Sequence, residues 1–372
     1  MKTILYDEHV KLGGKMVDFA GWEMPLWYGK GQSAEHHATR DAVGLFDICH
    51  MGEFDIFGQG SEEMMSNLLT NDIKGMTDGQ AMYNFMLNEQ GGVIDDCIIY
   101  KFNTEKWMLV VNAGNIEEDF QWLRSHASEN VQVNNVSDNT FKLDLQGPNA
   151  PKIIQELGGE EAVDKFGFFK FKENIILDGI PVLLSRTGYT GEIGFEIYGD
   201  NKYAVELWNK LLEVGGKYGI EPCGLGARDS LRTEAGLPLH GHEIHPKIPA
   251  VGTPWGFVFE WEHDFIGKDV LVKEKESGIN YFIYPFIMDG RSKAMPGWNV
   301  LKNEEVIGTV MSGVISPTLE NKPIGFLRSK VELAEETELT FNEEGKKRIL
   351  EGKITTSPFV KPTSRKKMKN FL

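Results

Sequence analysis

The chain has 372 residues, of which 41% are hydrophobic and 25% charged, proportions that support more than one packed core and exclude extended disorder. Its formal net charge of −16 argues against a nucleic-acid partner, because phosphate-backbone affinity rests on clustered Lys and Arg that displace counterions. The opening "MKTILYDEHVKLGGKM" lacks the apolar stretch of a secretory leader and no segment reaches the ~18 apolar residues of a membrane span, so a cytoplasmic location is expected.

Residues 34–43 read as a helix with Ser33 as N-cap and Gly44 as its stop, and residues 61–69 repeat the pattern with Ser61 as cap. Strand-like runs at 81–88, 93–102 and 107–113, joined by "EQGG" and "NTEK", predict an antiparallel meander. Helix 116–126 follows, with Asn115 and Glu118 at N-cap and N3 spacing and Phe120, Trp122 and Leu123 turned to that sheet. After the strand-like "TFKLDLQG" the pattern predicts a helix over 148–157 with Pro148 in its first turn, then strands at 174–179 and 180–188. Helix 202–214 carries Ala204, Leu207, Trp208, Leu211 and Leu212 on one stripe, and a shorter helix within 224–236 sets Arg228 and Arg232 on a common face. From about residue 278, short strand-like runs with Gly, Pro and Asn punctuation predict a separate all-β domain, and the basic tail 361–372 reads as a solvated, frayed terminus. The minority reading of that tail has it hold an anionic ligand tail. Cys49, Cys97 and Cys223 form no C-x-x-C pair and read as small buried hydrophobes.

The chemistry concentrates in "GGVIDDCIIYKF" (91–102). Strand alternation sets Ile94, Asp96, Ile98 and Tyr100 on one face and Val93, Asp95, Cys97 and Ile99 on the other, so the two acids cannot both reach water if either face is packed. Val110 and Asn112 share a face of the neighbouring strand. Should the faces coincide, a carboxylate, an amide and a phenol converge in an apolar setting suited to an amine or a nitrogen heterocycle. The competing reading, which the local pattern slightly favours, has both acids at a bulge or edge facing solvent. His240, His242 and His245 in "LHGHEIHPK" fall one residue short of H-E-x-x-H, so they read as surface or hydrogen-bonded histidines and no metal site is expected. The glycine-rich "SRTGYTGEIGFEIY" (185–198) lets backbone approach a ligand and presents Tyr189, Glu192 and Glu196, without a phosphate-binding or nucleophile-elbow pattern.

With "MVDFAGWEMP" (16–25), "GLFDICHMGEF" (44–54), "NEQGGVIDDCIIYK" (88–101), "LVVNAGN" (109–115), "SRTGYTGEIGFEIY" (185–198), "CGLGARDSLRTEAGLPL" (223–239), "DFIGKDVL" (264–271) and "SGVISPTL" (312–319), the chain resembles, nearly end to end, the T protein of the glycine cleavage system. The resemblance implies an α+β fold of three domains in a cloverleaf around a central folate channel. The first two would be discontinuous α+β units, residues 1–51 with 137–228 and residues 52–136 with 229–277. The third, 278–372, would be a β-barrel or jelly-roll-like domain. It further implies a tetrahydrofolate-dependent aminomethyltransferase that takes its carbon from a lipoyl-bearing carrier protein, with Asp96 as the essential carboxylate. Folate contacts carried over by motif are Met51, Tyr83, Asp96, Ile98, Tyr100, Val110, Asn112, Tyr189, Glu196 and Arg228. Departures fall at Cys49, Ile193, Met311 and the 240–254 loop, where His240 stands in place of the family's tyrosine. The alternatives are a folate-dependent demethylase of a methylated amine or sulfonium compound and a folate-binding protein without turnover.

Overall fold

The computed structural model describes residues 1–372 and holds three principal sheets around a central cavity. The first has six strands, in the order Phe171–Leu177, Ile180–Ser185, Gly194–Asp200, Thr140–Gln146, Val43–Asp47 and Ile220–Pro222; only the last junction is parallel. Along Thr140–Gln146 the period-2 rule decides everything: Phe141, Leu143 and Leu145 enter a core closed by helices Ala150–Val163 and Ala204–Gly215. Lys142, Asp144 and Gln146, just as buried, point to the opposite face.

The second sheet is antiparallel, ordered Gln80–Leu87, Val93–Asn103, Lys106–Val111, Gly52–Phe57 and Gln132–Asn135. Its outer face packs Ile56, Cys97, Ile99 and Leu109 on Met65 and Leu123 of helices Ser61–Leu68 and Ile116–His126. The third is a closed six-stranded antiparallel barrel beginning at Phe282, which leaves no sheet edge unpaired. The lobes meet through apolar contacts. Tyr100 of the second sheet packs with Phe171 and Tyr198 of the first, while Phe85 and Val93 share a cluster with Trp255 and the barrel's Phe326. No helix is long and apolar enough to cross a membrane.

Several predicted boundaries move. The second helix is Gln32–Asp41, so Ser33 lies inside it and Gly44 belongs to the strand Val43–Asp47. Gly44 is there for close approach, since a Cβ would stand 2.2 Å from Thr39 Oγ1 and 2.9 Å from Cys223 Sγ. Gly60, in the left-handed region, precedes helix Ser61–Leu68, and Ser61 turns its hydroxyl to the Thr104 carbonyl instead of capping. Pro151, not Pro148, occupies the first turn of its helix. The basic tail is not frayed: Arg186 donates to the carbonyls of Ser364 and Lys366, Thr363 Oγ1 donates to Glu192, and Met368 is buried in the first core.

Candidate active site

The central cavity has a volume of about 1510 Å³ and is lined from all three lobes. The second sheet contributes Tyr83, Asp96, Ile98, Val110 and Asn112, and the first contributes Lys142 and Glu196. Met51, Tyr189 and Arg228 line it as well, with Val314, Pro358 and Arg365 from the C-terminal part of the chain. Nine of the ten residues predicted for the site are therefore brought together. Tyr100 is the exception. It is fully buried behind the wall, where its hydroxyl meets that of Tyr198 at 2.8 Å and donates to Glu196 at 3.3 Å, because the Phe171 and Tyr198 rings cover it.

The two aspartates are not at an edge. Their strand runs between two others, and the register slips opposite Met86 and Leu87, leaving Ile94 unpaired at a bulge. That slip corrects the predicted faces: Ile94 joins Cys97 and Ile99 in the outer core, while Val93 turns to the barrel side. Asp95 is fully buried on the outer side, whereas Asp96 is half-buried and faces the cavity. Tyr83 donates to Asp96 Oδ2 at 2.8 Å and Asn112 Nδ2 to Oδ1 at 2.8 Å. Burial, and then the charge of Asp95, push the Asp96 carboxyl up to about 7, against the opposing hydrogen bonds of Tyr83 and Asn112 and the nearby His240. A carboxyl so placed exchanges a proton near neutral pH.

Across the cavity Glu196 is held by three hydroxyls on Oε2: Thr187 at 2.6 Å, Tyr198 at 3.0 Å and Tyr100 at 3.3 Å. Its Oε1 faces Lys142 Nζ at 3.7 Å. Burial alone would raise the Glu196 carboxyl, but Lys142, the Thr187 hydrogen bond and Arg228 outweigh it and keep the group ionised. Arg228 pairs with Asp144 at 2.9 Å and lies over the Tyr189 ring, 4.7 Å from its centroid; Tyr189 in turn donates to the Pro238 carbonyl. Arg232, expected on the same face as Arg228, also borders the cavity, with its guanidinium held by Glu243 at 3.0 Å and Asp229 at 2.8 Å.

Two of the three histidines of "LHGHEIHPK" are engaged in separate hydrogen bonds. His240 lines the cavity with Nε2 donating to the Val93 carbonyl at 3.1 Å and Nδ1 accepting from Asn115 at 2.9 Å, while His245 Nδ1 accepts from the Lys247 amide. Asn115 likewise is spent on the site. It precedes the helix but makes no capping bond, donating to Asp95 Oδ1 at 2.7 Å.

Sequence reasoning missed Lys142, Asp144 and Asn115. The signal for the first two was the alternation in "FKLDLQ", whose polar face would ordinarily be assigned to water. The departures are apolar accommodations where packing explains them: Ile193 is fully buried in the first core, and Met311 packs beside Trp255 and Phe326.

Residues 5–263 match the family described as the GCVT N-terminal domain. The chain is 43% identical over 326 residues to the aminomethyltransferase of Thermoanaerobacter pseudethanolicus, covering 87% of this chain and 88% of that one. It is also 43% identical over 363 residues to that of Bacillus mycoides, covering 97% and 98%. The structure superposes on the crystal structure of glycine cleavage system aminomethyltransferase T from Bartonella henselae with a TM-score of 0.89 at 32% identity, over 98% and 99% of the two chains. Carrying the family's three-lobed α+β fold with its C-terminal barrel, the chain belongs to the aminomethyltransferases typified by the glycine cleavage T protein and is a one-carbon transferase.

Proposed function

We propose that this enzyme takes the aminomethyl carbon from the lipoyl arm of a carrier protein and passes it to tetrahydrofolate, releasing ammonia and 5,10-methylene-tetrahydrofolate. The observation that carries the reading is Asp96, a carboxyl with near-neutral proton affinity aimed into the cavity and oriented by Tyr83 and Asn112. The lining suits a flat nitrogen heterocycle: Ile98, Val110 and Met51 offer apolar walls, and Glu196, fixed by three hydroxyls, offers an acceptor to ring N–H groups. Tetrahydrofolate supplies the nucleophilic nitrogen that accepts the carbon.

The chain's own task is orientation and proton management. Asp96 holds a proton at Oδ1 or Oδ2 beside the reacting nitrogen and, once ionised, stabilises positive charge developing there. Glu196 sets the rotation of the heterocycle in its plane, and Arg228, braced by Asp144 and Tyr189, presents a fixed cation that loses little freedom on binding. His240 and Asn115 also line the cavity, where a second, donor-side group would be received.

Asp96→Asn tests the reading. Tetrahydrofolate affinity is expected within about threefold of wild type while turnover with aminomethyl-lipoyl carrier falls by ~10²-fold or more. Near-normal turnover would remove Asp96 from the chemistry. Activity with methylated amines and none with the lipoyl carrier would overturn the proposed donor.

A further inference from the structure

Behind Asp96 lies a second carboxyl pair that the reading above does not use. Asn115 and Asp119 stand one turn apart at the start of helix Ile116–His126 and face Asp95 and Cys97, two residues apart on the outer face of the strand. Asp95 is fully buried and takes three N–H donors, from Asn112 N at 2.8 Å, Asn112 Nδ2 at 2.8 Å and Asn115 Nδ2 at 2.7 Å. Asp119 is equally buried, yet neither of its oxygens receives a donor. An ionised carboxylate without donors is too costly to persist in that setting, and a protonated one needs an acceptor. Asp95 is the carboxylate within reach, since Asn115, one turn before Asp119 on the same helix face, already donates to Asp95 Oδ1 at 2.7 Å.

We infer that Asp119 is a neutral carboxylic acid donating its O–H to Asp95, so that the pair keeps a single negative charge behind Asp96 and acts as a positioning element for it. The inference rests on the reading of Asp96 as the proton-exchanging group. Its consequence is electrostatic: after burial itself, the charge on Asp95 is the largest influence raising the Asp96 carboxyl, and Asn112 ties the two by donating to both. Burial first, then the Asp95 charge, push Asp119 far above the usual carboxylate range, with Glu118 and Asp96 adding to the shift. The other titratable groups facing the pair are Cys97, whose thiol is pushed up by burial and by these same carboxylates, and His240, whose Nδ1 lies 3.9 Å from Asp95 Oδ1. Tyr83 faces Asp96 from the adjoining strand.

Infrared difference spectroscopy of the carboxyl C=O stretch is the direct test. At about pH 9, where even Glu53, raised by burial to about 8, is mostly ionised, the wild-type protein should retain a protonated-carboxyl band that Asp119→Asn abolishes and Asp96→Asn leaves in place. In the pH profile of kcat/KM, Asp119→Leu, which removes the shielding O–H while leaving the three N–H donors of Asp95 in place, should strengthen the field of Asp95 on Asp96 and move the acid limb to higher pH by at least about threefold in proton concentration. Asp119→Asn, whose amide still donates to Asp95, should restore the wild-type limb. A wild-type protein lacking the band, or an Asn variant that shifts the limb as far as the Leu variant, would overturn the inference. A persistent band together with full activity of Asp96→Asn would instead refute the role of Asp96 and leave the neutral Asp119 standing.

Discussion

Asp96 carries opposing demands. Its folded-state carboxyl titrates near 7, above the ~3.9 of an unfolded chain, so the unfolded state binds fewer protons between those values. Its contribution to stability is complete below about pH 4 and declines as pH rises through about 7. Asp96→Asn should therefore melt at a higher temperature than wild type near pH 8, with the difference vanishing near pH 4; thermal scans at the two pH values check it, and an equal difference at both would reject the assignment. Tyr83 acts in the other direction, since its hydroxyl bond holds the Asp96 carboxyl down. Tyr83→Phe should shift the acid limb of kcat/KM to higher pH by up to about one unit, read from the pH profile. Both effects follow from identities visible in the sequence. Their signs required knowing that the packed lobes desolvate Asp96 beside Asp95 and that Tyr83 reaches it.

At the element scale, the helix Ile116–His126 begins at a residue that resembles a cap and is not one. Asn115 Nδ2 serves Asp95 and His240, so the site takes the group that the helix end would otherwise use. Asn115→Ala is expected to cost ~1–3 kcal/mol in urea unfolding, because a buried carboxylate loses a donor. Asn115→Ser separates the two roles: a capping residue would tolerate it, whereas the short hydroxyl cannot bridge Asp95 and His240, and we expect a loss similar to that of Ala. The strand Val93–Asn103 teaches the same lesson. Its period-2 pattern is readable, but the bulge opposite Met86 and Leu87 reassigns Ile94, and a bulge leaves no mark where two apolar residues, Val93 and Ile94, stand side by side.

For the whole molecule, the barrel is fastened to helix Gln32–Asp41 by Glu234 at the end of helix Leu225–Glu234. It accepts from Arg40 Nη2 at 2.8 Å, Ser316 Oγ at 2.5 Å and Thr318 Oγ1 at 2.8 Å, and faces His36 Nε2 at 3.2 Å. Burial would raise this carboxyl; His36, Arg40 and Ser316 together hold it down at about 2. Its contribution is present above about pH 4.5 and is lost as pH falls toward 2. Glu234→Ala leaves Arg40 paired with Glu192 alone and strands the two barrel hydroxyls, at a cost of ~1–3 kcal/mol. Hydrogen exchange should then show earlier opening of the Leu225–Glu234 helix and of strand Glu305–Ser316 than of the second sheet; uniform opening would show that Glu234 is not the fastening point.

Local physics makes much of this protein legible from its sequence. The meander over 80–111, the apolar stripe of helix Ala204–Gly215 and the change to short strands past residue 278 are periodicity effects that neighbouring residues alone specify. The motif string identifies the acid pair and most of the cavity wall. What needed tertiary structure was the meaning of buried polar faces. Lys142 and Asp144 alternate with core residues as solvent-facing positions do, and only the packing of one lobe on another sets Lys142 in the cavity wall and Asp144 against Arg228. Asp95 and Asp119, 24 residues apart, meet only when the helix lies on the sheet, where exclusion of water obliges them to share a proton. Burial is a property of the assembled lobes, and on it depend the charge of each acid and hence the chemistry available to the site.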